Sequence, residues 1–464
     1  MAGKRRQLPL IEDYLGRRAR VYGRERAILV DVVPEGRAHW EQEELMDELA
    51  TLCRTAGVQA VGRLVQRRSR PDPATYVGRG KVAEARAAAQ DLEAEVLVFG
   101  DELSPAQARN LEEATGLKVV DRAQVILDIF AQRAGTKEAE LAVELAQLEY
   151  LLPRLRGWGQ ALTDPGGGIG TRGPGETRLE LDRRRVRRRI QVIRAQLRDA
   201  DRVRRLRSKR RRQAAKPQVA IVGYTNSGKS TLFCRLTGAQ ALVENKLFAT
   251  LDARVRQGPL PGGRPALFYD TVGFIRRLPH QLVPAFQATL ESAREADLLL
   301  VVVDAASPGA ADRLATVRRV LAEDVFGDHR PLPPVLYVLN KLDLVDSPER
   351  RAGLARLQLE ATPHVAVSAR NGDHLEELLA AVGAMLAPHF SRLRIRVPMD
   401  RQDLVARLAG MGQVEDLAWS AAGAVLTLVV PSTQVHRVRS APVEVMAEGE
   451  AGPAEAGTSR RAAD

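Results

Sequence analysis

Short runs of consecutive apolar residues alternate along this chain with stretches in which apolar positions recur every three or four. Residues 27–33 (AILVDVV) have the pattern of a buried strand, and 58–65 and 96–99 read as second and third strands. Within 39–56, Trp40, Leu45, Leu49 and Leu52 lie near helical spacing. Ser104 and Pro105 open a further helix with a serine cap and a proline in the first turn. This alternation predicts a small α/β domain over 1–135. Gly78-Arg79-Gly80-Lys81 lacks phosphate-loop spacing and reads as a surface turn.

From 136 to 215 the pattern is helical. Leu141, Leu145, Leu148, Leu152 and Leu155 are spaced 4-3-4-3, and Val186, Ile190, Ile193 and Leu197 repeat that seam. Two seams predict an antiparallel helical hairpin. They are joined by 164–176 (DPGGGIGTRGPGE), whose glycines and prolines cannot continue a helix. The second helix would run roughly 50 Å at 1.5 Å per residue. Over 216–388, strands at 218–222, 266–270, 298–303, 335–339 and 364–367 alternate with helical patterns. That spacing predicts a mostly parallel sheet with its ligand at the strands' carboxyl ends. A strand at 393–398, a helix at 402–408 and two strands split by Ala421-Ala422-Gly423 predict a small α+β domain over 389–442. Residues 443–464, rich in Ala, Gly and Glu, read as an unstructured tail.

Composition narrows this picture. With 45% hydrophobic residues in 464, the chain can bury several cores and is not wholly disordered, and 4% aromatics make those cores aliphatic. Cys53 and Cys234 are the only cysteines, which excludes a disulfide framework and points to a reducing compartment. No apolar run reaches about 18 residues and the first residues lack a signal-peptide core. The expectation is a cytoplasmic monomer without a membrane span, with peripheral membrane association as the alternative location. The net charge of +12 is concentrated: residues 183–212 hold sixteen Lys/Arg against Asp199 and Asp201, so the remainder sums to −2. A block this dense predicts a polyanion partner, nucleic acid first. The neighbouring glycine-rich loop reads either as a flexible connector or as backbone that approaches RNA closely.

The chemistry lies in the third part. Strand 218–222 runs into Gly223-Tyr224-Thr225-Asn226-Ser227-Gly228-Lys229-Ser230, followed by Thr231 and a helix. Strand, G-x-x-x-x-G-K-S, helix is the context of a phosphate-binding loop. Its backbone N–H groups surround phosphates, Lys229 contacts the β- and γ-phosphates, and Ser230 ligates Mg²⁺. Asp270 ends a strand and faces the metal from the far side, and Thr271-Val272-Gly273 brings an N–H to the γ-phosphate. Asn340-Lys341-Leu342-Asp343 follows another strand. A carboxylate at 343 accepts from guanine N1–H and N2–H₂, a donor pair adenine lacks, and the stem of Lys341 covers the ring. Ser368, Ala369 and Arg370 close the base site, with a backbone N–H for guanine O6. Thr250, after Phe248 and Ala249, is placed by position alone to ligate Mg²⁺ and sense the γ-phosphate. The catalytic set is Lys229, Thr250 and Gly273. Phe274 stands where many GTPases carry a water-orienting glutamine, which predicts slow intrinsic hydrolysis stimulated by a partner or by local rearrangement. Asn226 is a candidate K⁺ ligand.

At these residues the chain resembles the HflX family of ribosome-associated GTPases. The resemblance rests on GGGIGTRGPGETRLELDRR (166–184), VDRAQVILDIFAQRA (120–134), ELAQLEYLLPRL (144–155), NKLFATLD (245–252) and DTVGFIRRLPHQLVPAFQATL (270–290). It covers roughly 25–435. Cys234, and Ala253-Arg254-Val255 after Asp252, depart from the family pattern. The resemblance implies an α/β architecture: a P-loop GTPase domain, preceded by a small α/β domain and a hairpin arm and followed by a small α+β domain. It implies GTP as substrate, Mg²⁺, and the large ribosomal subunit, chiefly its rRNA, as partner. It also implies separation of stalled or idle ribosomes under stress. Gly166, Gly167, Gly168, Gly170, Arg172, Gly173, Gly175 and Glu176 match the family's loop toward the peptidyl-transferase region; with Arg183, Arg184, Arg187 and Arg188 they form the expected RNA face. A GTPase of large-subunit assembly and an RNA-remodelling ATPase with an accessory GTP domain are the alternatives.

Overall fold

The structure, a computed structural model, describes residues 25–36, 39–155, 174–213, 216–239, 248, 254–275, 292–327, 331–420 and 423–450. The chain divides into two compact units, one built mainly from residues up to Ala200 and one mainly from Asp201 onward.

In the first unit, β1 (Arg26–Val33), β2 (Gln59–Arg67), β3 (Val96–Phe99) and β4 (Lys118–Asp121) form a parallel sheet in the order β2-β1-β3-β4. The central strands β1 and β3 are almost wholly buried, as their largely apolar sequences require; Asp31 is the one charged residue of β1 buried with them. Helices α1 (His39–Ala56), α2 (Arg79–Asp91), α3 (Pro105–Thr115) and α4 (Arg122–Arg133) connect and follow the strands. Ser104 caps α3 in a reciprocal capping box with Gln107. The turn expected at 78–81 is instead the start of α2: Gly78 is its N-cap, and its N–H donates to Gln66 Oε1 at 2.8 Å. The apolar face of α2 is Val82, Ala85 and Ala89, too low in contrast to read as a periodic seam.

The arm follows, within this unit as far as Ala200. Helices α5 (Lys137–Arg154) and α6 (Pro174–Gln213) pair through Leu145, Leu148, Leu151 and Leu155 against Val186, Ile190 and Ile193. The two seams thus meet as their spacing implies. At 40 residues α6 is roughly 60 Å long, because the helix begins at Pro174 inside the expected loop. Proline fits the first helical position, where its missing N–H costs nothing. The basic block is not without counter-charge, as its composition suggested. Arg189 makes a two-pronged pair with Glu144 at 2.7 and 2.8 Å, and Arg194 reaches Glu149 at 2.8 Å. Glu180 and Asp182 serve Arg183, Arg184, Arg187 and Arg185 from within α6. At the end of α5, Arg154 bonds Asp121 at 3.1 Å and the Leu103 carbonyl at 2.7 Å, which ties the arm to β4.

The second unit holds a six-stranded sheet of β5 (Gln218–Gly223), β6 (Arg254–Pro259), β7 (Pro265–Asp270), β8 (Leu298–Asp304), β9 (Val335–Asn340) and β10 (His364–Ala366). Its order is β10-β9-β8-β5-β7-β6, parallel except for β6, which the sequence reading did not include. Helices α7 (Lys229–Thr237), α8 (Ala310–Val320), α9 (Pro348–Glu360) and α10 (Leu375–Met385) accompany it. Val219, Ile221, Leu298, Leu300, Val338 and Phe268 are fully buried in its core. β5 has sequence-later neighbours on both sides, so the connections diverge at its carboxyl end and open a crevice there.

The last part is β11 (Phe390–Val397), α11 (Asp403–Ala409), β12 (Gln413–Ser420), β13 (Gly423–Pro431), α12 (Val435–Arg439) and β14 (Glu444–Glu450). Its antiparallel sheet runs β12-β13-β11-β14. β14 corrects the expectation of an unstructured tail from 443: Val443 and Val445 pack on the core made by Leu393, Ile395, Leu426 and Val438. Its polar-interrupted sequence, EVMAEGE, hid the strand. Among the described residues, no helix is long and apolar enough to cross a membrane.

Candidate nucleotide site

The crevice at the end of β5 is lined by the loop 224–228, which leads into α7. Gly228 has φ +94°, and a Cβ there would lie 2.2 Å from Asn340 Nδ2, so no other residue fits. Asn226 also adopts a left-handed conformation, at φ +59°. Lys229 is buried, and its ammonium donates to the carbonyls of Gly223 at 3.2 Å and Tyr224 at 2.7 Å. Burial pushes Lys229 down to about 8; Asp270 opposes this and the charge of Lys341 adds to it. The hydroxyls of Thr225 and Ser227 are buried without a hydrogen-bond partner among the described residues. Unpaired buried hydroxyls and a desolvated ammonium in one loop are costly in isolation and suit an anionic ligand.

β7 delivers the opposite wall. Ser230 Oγ donates to Asp270 Oδ2 at 2.9 Å, and Thr271 Oγ1 donates to the Ile221 carbonyl at 2.6 Å. A hydroxyl and a fully buried carboxylate side by side are the hard oxygen donors that Mg²⁺ takes, so the residues fit that ion. A Cβ on Gly273 would lie 2.8 Å from both Lys229 Nζ and Thr225 Cα, so only glycine passes the phosphate loop here. The next residue laces the two segments: Thr225 N–H donates to the Phe274 carbonyl at 2.7 Å, and Phe274 N–H to the Gly223 carbonyl at 3.0 Å. The Phe274 side chain is buried and brings no polar group to the crevice.

β9 and β10 supply the base half. Asn340 Nδ2 donates to the Ser227 carbonyl at 2.9 Å, while its Oδ1 accepts from Ala369 N–H at 2.9 Å. Asp343 Oδ1 accepts from Ser368 Oγ at 2.7 Å, which fixes the plane of the carboxylate. Arg235 of α7 donates to the carbonyls of Ala369 and Arg370 and holds that turn against the helix. Lys341, at φ +69°, turns its ammonium to Asp304 Oδ2 at 2.7 Å. Asp304 was absent from the sequence-derived set, although a carboxylate ending the run LLLVVV was the available signal.

Gly223 to Thr231, Asp270 to Gly273, and the Asn340, Lys341, Asp343 and Ser368–Arg370 groups therefore belong to one unit and one sheet end. Phe248 groups with the first unit, its ring edge-on to Phe130 at 4.8 Å between centroids. Ala249, Thr250, Gly166, Gly167, Gly168, Gly170, Arg172 and Gly173 lie outside the described residues. Gly175 falls in the first turn of α6. Arg184, Arg187 and Arg188 are exposed on α6, and Arg183 is half-buried.

A phosphate loop, a strand-end aspartate with a glycine three residues on, and an N-K-x-D turn at one end of a mostly parallel sheet define a P-loop GTPase. Three family models match the chain in succession: "GTP-binding GTPase N-terminal" over 43–131, "GTP-binding GTPase Middle Region" over 133–211 and "50S ribosome-binding GTPase" over 218–341. A GTPase HflX from Caldanaerobacter subterraneus is 46% identical over 359 residues, covering 77% of this chain and 80% of that protein. The Escherichia coli GTPase HflX is 40% identical over 395 residues, covering 84% and 90%. That of Akkermansia muciniphila is 40% identical over 430 residues, covering 90% and 96%. A solved structure described as SsGBP in complex with GDP aligns over 77% of this chain and 97% of its own, at 25% identity and a TM-score of 0.44. The chain belongs to the HflX family of GTPases, and its activity is GTP hydrolysis.

Proposed function

We propose that this GTPase binds the large ribosomal subunit and separates stalled or idle ribosomes into subunits under stress. The observation that carries the reading is the row of exposed arginines on α6, among them Arg184, Arg187, Arg188 and Arg198, a polyanion-binding face belonging to a chain that hydrolyses GTP. The description of the family model over 218–341 supports the choice of the large subunit.

In this reading, Asp343 accepts from the guanine edge, Lys341 covers the ring, and the N–H groups of 224–230 hold the phosphates. Lys229 exchanges the carbonyls of Gly223 and Tyr224 for phosphate oxygens. Ser230 and Asp270 would hold Mg²⁺, with Thr250 as a further ligand, and the ion would supply positive charge against the phosphate oxygens. Asn226 is the candidate K⁺ ligand. Phe274 positions no water, so intrinsic turnover is slow and a ribosomal partner stimulates it. The GTP-bound form has the higher affinity for the subunit, and hydrolysis resets the factor; a nucleotide controls binding only through such a difference.

The test is cosedimentation with intact ribosomes and with isolated subunits under a non-hydrolysable GTP analogue or GDP, with subunit separation read in the same gradient. The analogue should retain the protein on the large subunit and drive separation, and GDP should release it. Attachment that ignores the nucleotide, or no separation at saturating protein with the analogue, overturns the reading. Binding restricted to immature large subunits replaces it with an assembly role.

A further inference from the structure

The base site has a charged component outside the N-K-x-D turn. Asp304 is the last residue of β8, in register with Asn340 of β9, and the next N–H, of Ala305, donates to the Asn340 carbonyl at 2.9 Å. The strand pairing therefore fixes the backbone of Asp304 beside the turn that carries Lys341. The carboxylate is fixed as well: Oδ1 accepts from Ala306 N–H at 3.2 Å, which leaves Oδ2 for the Lys341 ammonium at 2.7 Å. The two side chains retain only 15% and 21% of their exposure, so solvent screens the pair less than it screens a surface ion pair.

We propose that Asp304 is a positioning residue for guanine: it tethers the head of Lys341 so that the lysine stem lies ready as a lid over the base. Two considerations favour a tether. Lys341 occupies the left-handed region, which costs free energy in a residue with a Cβ and persists only where surroundings impose it. An untethered lysine stem has four rotatable bonds, and ordering it on each binding event would cost conformational entropy. The carboxylate also offsets the Lys341 charge that bears on Lys229, so that both lysines can serve one ligand.

The inference rests on the guanine site, and the experiment separates the two. Dissociation of a fluorescent GDP is timed in the full-length wild type, in Asp304→Asn, in Lys341→Met and in the double variant. Asp304→Asn keeps the shape and removes the charge. It should speed release about tenfold in the wild-type background and less than about twofold when Lys341 is already methionine, because a tether has no effect without its load. Equal acceleration in both backgrounds, or none in either, overturns the proposal. A general packing role for Asp304 would also lower the thermal midpoint of the nucleotide-free protein by the same amount in both backgrounds, and that result overturns it too. Failure of the guanine site itself is a different outcome: the wild type would release GDP and ADP equally fast.

Discussion

Replacing Asp343 with asparagine changes one atom's chemistry at the proposed point of base recognition. The aspartate is an acceptor only, and guanine presents two donors, N1–H and the exocyclic amine. Hydrogen bonds to a charged group contribute about 1.5–3 kcal/mol net each, and asparagine keeps one acceptor without the charge. Ser368 already donates to Oδ1 at 2.7 Å, so the carboxylate plane is set before the base arrives and the variant has little freedom to reorient. The expected loss is about 3 kcal/mol, roughly 150-fold weaker GDP binding. Xanthine carries a carbonyl where guanine carries the amine, and the new amide N–H₂ can donate to it. Xanthosine diphosphate should therefore bind Asp343→Asn at least about tenfold more tightly than it binds the wild type. Equilibrium titration with fluorescent GDP and xanthosine diphosphate reads both. Ser368→Ala is the companion: it should lose about 1 kcal/mol for GDP and gain nothing for xanthine. If Asp343→Asn held GDP within about threefold, or lost it without gaining xanthosine diphosphate, the assignment of this carboxylate to the base edge would be wrong.

Burial pushes Asp128 on α4 up to about 8, with Lys118 opposing the shift and Glu25 adding to it. The unfolded carboxyl ionises near 3.8, so rising pH between these values costs the fold stability, and Asp128→Asn should gain on the wild type by up to about 4 kcal/mol between about pH 5 and pH 8 in chemical denaturation. Parallel curves would refute this. Ile193→Ala removes a fully buried side chain from the hairpin seam and should cost the arm about 2–4 kcal/mol, read as faster amide exchange along α5 and α6. Joint replacement of Arg184, Arg187 and Arg188 by glutamine should weaken ribosome binding and flatten its dependence on log salt by about one unit for each lost phosphate contact. Replacing K⁺ with Na⁺ should slow hydrolysis several-fold if Asn226 holds the ion; equal rates remove that role.

The parts legible in the sequence were those whose signal is local. The strand cores of β5, β8 and β9 are unbroken apolar runs, and the phosphate loop, the strand-end Asp270 and the N-K-x-D turn are fixed spacings that the fold brings together at one sheet end. The 4-3-4-3 seams of the arm were equally plain, and most of their residues make its core, which also takes in Leu151 and leaves Leu141, Leu152 and Leu197 at its margin. What escaped depends on partners distant in sequence. β6 has the half-exposed sequence RVRQGP and exists because it pairs antiparallel with β7. β14 is held by β11 rather than by its own composition. Arg189 and Arg194 looked like surplus positive charge until Glu144 and Glu149, each 45 residues earlier, came to lie beside them. Asp304 is of the same kind, since nothing in its neighbourhood along the chain indicates Lys341.

These tertiary contacts also determine how the two halves of the nucleotide site work together. Asn340 joins them: its amide nitrogen holds the phosphate-loop carbonyl of Ser227, its amide oxygen holds Ala369 N–H of the base turn, and its own carbonyl accepts from Ala305. A residue with three such partners, two of them on its side chain, buried to 2% exposure, couples the phosphate loop to the base turn. The proposed base recognition at Asp343 and phosphate contact at Lys229 would then be parts of a single binding event. The same geometry explains why Asp304 sits where it does. It leans on the Asn340 joint through the strand register, and its carboxylate spans the local N–H of Ala306 and the ammonium of Lys341, so it adjusts the grip on the base through that lysine.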